Sequence, residues 1–236
     1  MKILAIETAT EACSAALFDD GAVIHRETMA PQQHAELILP MCDELMAEAG
    51  LPRSALDALA FGRGPGSFTG VRIAVGVIQG IAFALDRPVV PVSSLAALAQ
   101  GAMDSGNRVL AAFDARMGEV YWGAFGADDQ GLATAEGPET VTAPEAVPVP
   151  EAGRWLGVGS GWASYGETLE ERVGERLEAV VAERFPLARH LVRLAARDLT
   201  AGAGVAAAEA LPVYLRDNVA DPRARVNTKG SSPAGG

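Results

Sequence analysis

Lysine is nearly missing from this 236-residue chain: only Lys2 and Lys229 occur, one close to each end. That scarcity removes several chemistries at once. A P-loop needs a lysine that reaches the β- and γ-phosphates, and a Schiff-base enzyme needs one inside its pocket. Histidine is almost as rare. His25, His34 and His190 are the full set, and no two lie one helical turn apart, so a helical His-x-x-x-His metal pair cannot be built. Cys13 and Cys42 are too few for a disulfide framework, and each sits inside an apolar pattern, the setting of a buried free thiol in a reducing compartment. Positive charge is also short, with a formal net charge of −11 and a pI of about 4.7. A protein that holds nucleic acid unaided wants a basic face, and no basic cluster appears before the 221–229 tail. Any RNA phosphates are therefore expected to be held mainly by another subunit.

Long apolar runs are missing too. The longest, residues 73–85, contains Gln79 and falls short of the roughly 20 residues a membrane span needs. The N-terminal stretch reaches a carboxylate at Glu7, too soon for a signal-peptide core. The expectation is a cytoplasmic protein without a membrane segment, with 49% apolar residues to build a core.

What the chain does have is glycine in the right places. Residues 62–72 read Gly-Arg-Gly-Pro-Gly-Ser-Phe-Thr-Gly-Val-Arg, between an apolar strand-like run and a long apolar helix-like run. Glycine permits positive φ and close backbone approach, and a strand-to-helix turn aims free N–H groups at an anion. Gly64, Gly66, Ser67 and Thr69 are the anion candidates here, with Ser67 or Thr69 as the helix cap. The plain alternative is a tight turn with a good cap. Neither Ser67 nor Ser160 stands in the Gly-x-Ser-x-Gly pattern of a nucleophile elbow.

Apolar periodicity predicts strands over 2–6, 13–18 and 22–28, a helix over 32–49, a strand over 58–61, a helix over 69–85, a strand over 89–92 and a helix over 94–103. That is a βββαβαβα order within residues 1–105. Residues 108–125 repeat the head of this pattern, each copy having an acid at the end of its first strand, Glu7 and then Asp114. A smaller, less regular subdomain is expected over 106–220. It holds a proline-rich stretch at 138–150, a strand at 154–158, helices near 165–173 and 186–201 and a strand at 212–215. Its last elements are allowed to pack back on the first unit. The polar residues 221–236 read as a disordered tail.

A duplicated βββαβαβα unit with an acid-bearing hairpin at each head resembles the actin, sugar-kinase and heat-shock ATPase superfamily. The resemblance implies an α/β fold of two related subdomains, each a mixed sheet with flanking helices, and hairpins that grip nucleotide phosphates. Thr8 and Asp114 are the hairpin candidates for such a grip. The first turn, residues 7–12, lacks the usual glycine and adds Glu11, and the second has Asp114-Ala115 where Asp-x-Gly is common.

Six blocks carry a closer resemblance: 6–14 (Ile-Glu-Thr-Ala-Thr-Glu-Ala-Cys-Ser), 33–41, 62–73, 92–98 (Val-Ser-Ser-Leu-Ala-Ala-Leu), 114–121 (Asp-Ala-Arg-Met-Gly-Glu-Val-Tyr) and 211–216 (Leu-Pro-Val-Tyr-Leu-Arg). In this order they resemble the TsaB (YeaZ) family of bacterial threonylcarbamoyladenosine biosynthesis, over about residues 2–220. Glu7 stands where that family usually has Asp. The resemblance implies a paralogue of the catalytic subunit TsaD that is itself non-catalytic and needs neither cofactor nor metal. It implies a partner that joins TsaD and TsaE in modifying adenosine 37 of tRNAs decoding ANN codons. The helix matching the metal-bearing one of TsaD begins at 92–98 and has no histidine.

The 69–85 helix is apolar on nearly every side, so all its faces want cover. Gly76, Gly80 and Ala84 form a small-residue ridge along it. The expectation is a docking surface of Leu37, Met41 and Leu45 from the first helix with Val71, Gly76, Val77, Gly80, Phe83 and Ala84 from the second. It would take TsaD in a four-helix contact, or a second copy of the chain when alone. A sugar-kinase-type kinase or ATPase using Glu7 or Asp114 for magnesium is the alternative, with Gly157, Gly159 and Gly161 as a conceivable adenosine cluster. A metalloprotease is the remote one.

Overall fold

The computed structural model describes residues 1–103 and 108–216. The joint at 104–107 and the expected disordered tail from 221 lie outside the described residues.

Two mixed sheets share one plan. In the first, β1 (Lys2–Glu7), β2 (Ala12–Asp19) and β3 (Ala22–Met29) form an antiparallel meander, and β4 (Ala58–Gly62) and β5 (Val89–Val92) add in parallel, giving the order β3-β2-β1-β4-β5. In the second, β6 (Arg108–Arg116) and β7 (Glu119–Ala127) form the hairpin. Strands β8 (Ala133–Ala135) and β9 (Thr140–Thr142) pair antiparallel with β7. On the other side β10 (Trp155–Val158) and β11 (Leu177–Val181) follow β6 in parallel. The repeat read in the sequence is thus a repeat of sheet topology.

Five layers result. Helices α1 (His34–Glu48) and α2 (Phe68–Leu85) cover the outer face of the first sheet, and α4 (Ser160–Val173) covers the outer face of the second. Between the sheets lie α3 (Ser94–Gln100) and α5 (Ala188–Thr200). Successive side chains of a strand point to opposite faces. Accordingly Ile3 and Ala5 join the central core while Leu4 and Ile6 pack under α1 and α2. On β6, Val109, Ala111 and Phe113 face inward and Leu110 and Ala112 face α4. The two central helices are exchanged. α3, from the first half of the chain, packs on β6, β7 and β8, whereas α5, from the second, packs on β1, β2, β4 and β5.

Several elements differ from the sequence expectation. The segment 212–215 is not a strand; Pro212 has no N–H to donate, and Val213 N makes a single bond to Arg63 O at 2.8 Å. Strand β11 has no clean alternation of apolar residues, since it is a half-exposed edge. Helix α4 begins at Ser160 and is broken at Tyr165 (φ −132°), so periodicity locates only its second part. Helix α2 begins at Phe68 and reaches 18 residues with mean hydropathy 1.7, long and apolar enough to cross a membrane by length and composition alone. In the fold, its Val71, Ala74, Val75, Ile78 and Ala82 are buried, Ile73, Val77, Ile81 and Leu85 are half-buried against the same core, and Phe83 and Ala84 are exposed.

Candidate functional site

A cleft of about 780 Å³ opens between the two hairpin turns, the starts of α1, α2 and α4, and Tyr214 and Arg216 of the C-terminal segment. The first turn is closed against the glycine loop. Ser67 N donates to Ala9 O at 2.7 Å, and Thr8 Oγ1 donates to Gly70 O at 2.8 Å. A Cβ on Gly70 would lie 2.0 Å from Thr8 O, and one on Gly66 would lie 2.5 Å from Ala9 O. The glycines serve close approach, and what approaches is the first hairpin's own backbone.

Glu7 is sealed inside this clasp. It is fully buried, and its carboxylate accepts from Ala9 N at 2.7 Å and Ser94 Oγ at 2.8 Å. A Cβ on Gly62 would meet Glu7 Oε2 at 2.0 Å, so only glycine leaves room for the carboxylate. Burial outweighs these hydrogen bonds and pushes the Glu7 pKa up to about 7. A group so enclosed does not reach a magnesium ion in the cleft, which removes half of the kinase alternative.

Asp114, at the head of the second hairpin, does line the cleft. Its carboxylate accepts from Arg116 N at 2.7 Å and pairs with Arg116 Nη1 at 3.0 Å, while the Tyr165 hydroxyl lies 3.4 Å away. Its charge is already answered from its own turn. The glycines at 157, 159 and 161 are structural as well: Cβ atoms there would come within 2.6 Å of Trp162, 2.4 Å of Ala112 O and 2.7 Å of Ala112 Cβ. They let α4 start directly over β6.

Of the candidates for an anion grip, Gly66, Ser67 and Asp114 line the cleft. Thr8 and Gly64 are buried in the clasp and do not face it, which corrects their reading as grip residues. Thr69 is exposed on the first turn of α2 and is neither cap nor cleft wall; Ser67 is the cap, its Oγ accepting from Gly70 N. The serines of the 92–98 block carry roles that the sequence did not signal. Ser94 holds Glu7 of the first sheet, and Ser93 Oγ donates to Glu139 of the second half. Among the described residues, no group of three or more His, Cys, Asp or Glu is placed to hold a metal ion.

The C-terminal segment straps the halves together. Tyr214 packs on Phe68 with ring centroids 5.5 Å apart and accepts from Arg72 Nε at 3.1 Å. Two residues on, Arg216 donates to Ala115 O at 3.3 Å and pairs with Glu119 of the second hairpin.

Comparison with known proteins agrees with this architecture. A sequence model of the family described as TsaD, tRNA N6-adenosine threonylcarbamoyltransferase, matches residues 23–224. The chain is 43% identical over 230 residues to the Escherichia coli tRNA threonylcarbamoyladenosine biosynthesis protein TsaB, covering 93% of this chain and 96% of that protein. The chain belongs to the TsaB family. The Haemophilus influenzae member is 39% identical over 93% of this chain and 95% of its own length. A solved structure of YeaZ from Pseudomonas aeruginosa superposes with a TM-score of 0.84 at 50% identity, covering 91% of this chain and 99% of that one.

The outer helices of this TsaB-family chain carry an exposed apolar surface. Leu37, Met41 and Val77 are half-buried, Gly76, Gly80 and Ala84 are exposed, and Phe83 is 85% exposed. A Cβ on Gly76 or Gly80 would meet nothing within 4 Å. Leu45 and Val71 are core residues, 0% and 2% exposed, so the expectation that they present side chains to a partner is corrected.

Proposed function

We propose that this chain is the non-catalytic partner of TsaD in the cytoplasmic complex that installs threonylcarbamoyl on adenosine 37 of tRNAs decoding ANN codons. The observation that carries the reading is the ridge of Gly76, Gly80, Ala84 and Phe83 on α2, flanked by Leu37 and Met41 of α1. A stripe of small residues beside a large exposed ring suits close helix–helix approach, since backbones come near each other only where side chains are short. A patch of this kind on a water-facing helix marks an interaction site. TsaD fits it as a fold relative able to offer two equivalent helices. In the absence of TsaD, a second copy of the chain takes that place.

The enclosed Glu7, the clasped first turn and the lack of a mid-chain lysine support a role without chemistry of its own. With a net charge of −11, the chain leaves most tRNA phosphate contacts to the rest of the complex, TsaE completing it.

The test is reconstitution of TsaD, TsaE and TsaC with tRNA, with and without this chain. Threonylcarbamoylation that depends on the chain supports the assignment, and equal modification in its absence overturns it. Gly76→Arg adds the residue-level check. It should abolish co-purification with TsaD without lowering the unfolding midpoint, because the site is open and arginine is the better helix former; retained binding defeats the docking face.

A further inference from the structure

Sulfur is unevenly exposed in this chain. Both thiols are buried, and burial raises the pKa of each, so neither offers a thiolate to an oxidant. Of the six methionines, Met46 and Met103 are buried, and Met1 and Met41 are half-buried. Met29 and Met117 are exposed, and Met117 is the more open of the two at 87%.

Local preference does not explain a methionine at position 117. Strand β6 ends at Arg116 and β7 begins at Glu119, and these two pair across the hairpin, so Met117 and Gly118 form a two-residue loop. Both have positive φ, 57° and 78°. Loops of this kind favour Asn-Gly or Asp-Gly, because Asn and Asp tolerate the left-handed region. Methionine there carries backbone strain, and at that exposure it buries little apolar area in return. A local rule broken without a packing gain is a place to look for function.

What Met117 does touch is charged. Its Sδ lies 3.6 Å from Nη1 of Arg216, the residue that anchors the C-terminal strap to the second hairpin. Nη2 of the same guanidinium pairs with Glu119 and donates to Ala115 O at 3.3 Å. A thioether sulfur is a weak acceptor, so the contact with Met117 is the weak one in this anchor. One added oxygen makes the side chain polar. A sulfoxide oxygen beside a guanidinium accepts a charge-assisted hydrogen bond, which is stronger than a neutral one. Met29, the other exposed thioether, has no such donor among the described residues.

We propose that Met117 is a site of oxidation by peroxide and that Arg216 holds the resulting sulfoxide. In the step, a sulfur lone pair attacks one oxygen of hydrogen peroxide. The S–O bond forms as the O–O bond breaks, and the proton on the transferred oxygen leaves with the other oxygen as water. Sulfur loses the two electrons that the peroxide gains. The sulfoxide then ties the strap more firmly to the second hairpin. The modification is separate from the α1–α2 docking face and does not depend on it.

The experiment treats the full-length Met29→Leu chain with hydrogen peroxide near neutral pH and follows it by peptide mass spectrometry and amide hydrogen exchange. Met117 should gain one oxygen about tenfold faster than Met46 or Met103, because access governs the reaction. Exchange at residues 115–119 should then slow by about tenfold, the effect of one added hydrogen bond to a charged group. With Arg216→Ala added, Met117 should still oxidise, but exchange should no longer slow. Met117→Leu should make exchange at these residues indifferent to peroxide. If Met29→Leu fails to fold, the parent chain is used, with Met117→Leu as its control. Three results overturn the proposal: Met117 reacting no faster than Met46, exchange unchanged or faster after oxidation, or slowing that persists without Arg216.

Discussion

The carbonyl oxygen of Thr8 sits 2.0 Å from where a Cβ on Gly70 would be, and the Thr8 hydroxyl donates to the carbonyl of that same glycine at 2.8 Å. One residue pair therefore fixes how the first hairpin turn meets the start of α2. It explains why the loop is rich in glycine without invoking a ligand.

Gly70→Ala should destabilise the chain by about 3 kcal/mol, since the clash is with backbone and cannot be relieved by a rotamer change. Gly76→Ala, on the same helix with open space around it, should stabilise it by about 0.5–1 kcal/mol through helix propensity. Urea denaturation of both variants checks the opposite signs.

Glu7 gives a pH signature. Its folded pKa of about 7 lies above the ordinary carboxylate value of 4.5, so the native state binds the proton more tightly than the unfolded chain does. Its contribution is fully present at low pH and falls as pH rises from about 4.5 through about 7, a total of about 3 kcal/mol at 1.4 kcal/mol per unit. Glu7→Gln removes that dependence. The difference in unfolding free energy between parent and variant, measured from pH 5 to 8, should move in the variant's favour with rising pH. A flat difference contradicts the buried carboxylate.

Arg216 ties the strap to the second hairpin through Ala115 O and Glu119. Arg216→Ala should cost about 2 kcal/mol, as expected for charge-assisted hydrogen bonds in a half-buried setting. Amide hydrogen exchange should quicken at residues 115–119 and stay unchanged on β1.

Both thiols are inert for a physical reason. Burial pushes Cys13 up to about 11 and Cys42 up to about 12. At pH 8 the native chain should react with a thiol reagent about a hundredfold more slowly than the urea-unfolded chain. Rapid labelling of the folded protein would show that these side chains are accessible.

The alternation of strands β1 to β5, the stripe on α1 and the apolar length of α2 are local properties, and they were legible because burial of one face or one stripe leaves a period in the sequence. The paired acids Glu7 and Asp114 at the two hairpin heads were legible as a repeat, and with them the family. Less visible were elements whose reason lies elsewhere in the chain. Strand β11 is held as an edge by β10, and residues 212–216 lie across the cleft because Arg63, Phe68 and the second hairpin hold them.

Composition and pattern alone determined the α/β class, the duplicated layout and the lack of any lysine between Lys2 and Lys229, since each depends only on which residues are present and in what order. Only the tertiary structure decided what the glycine loop faces. Loops that clasp a phosphate and loops that clasp a neighbouring turn need the same small residues, because both require backbone to come close. The distances from Gly62, Gly66 and Gly70 to Glu7, Ala9 and Thr8 show that this loop clasps a neighbouring turn. The same fold put Leu45 and Val71 inside, left Phe83 outside, and brought Arg216 to Met117, since burial and juxtaposition are properties of the packed chain and not of any one segment.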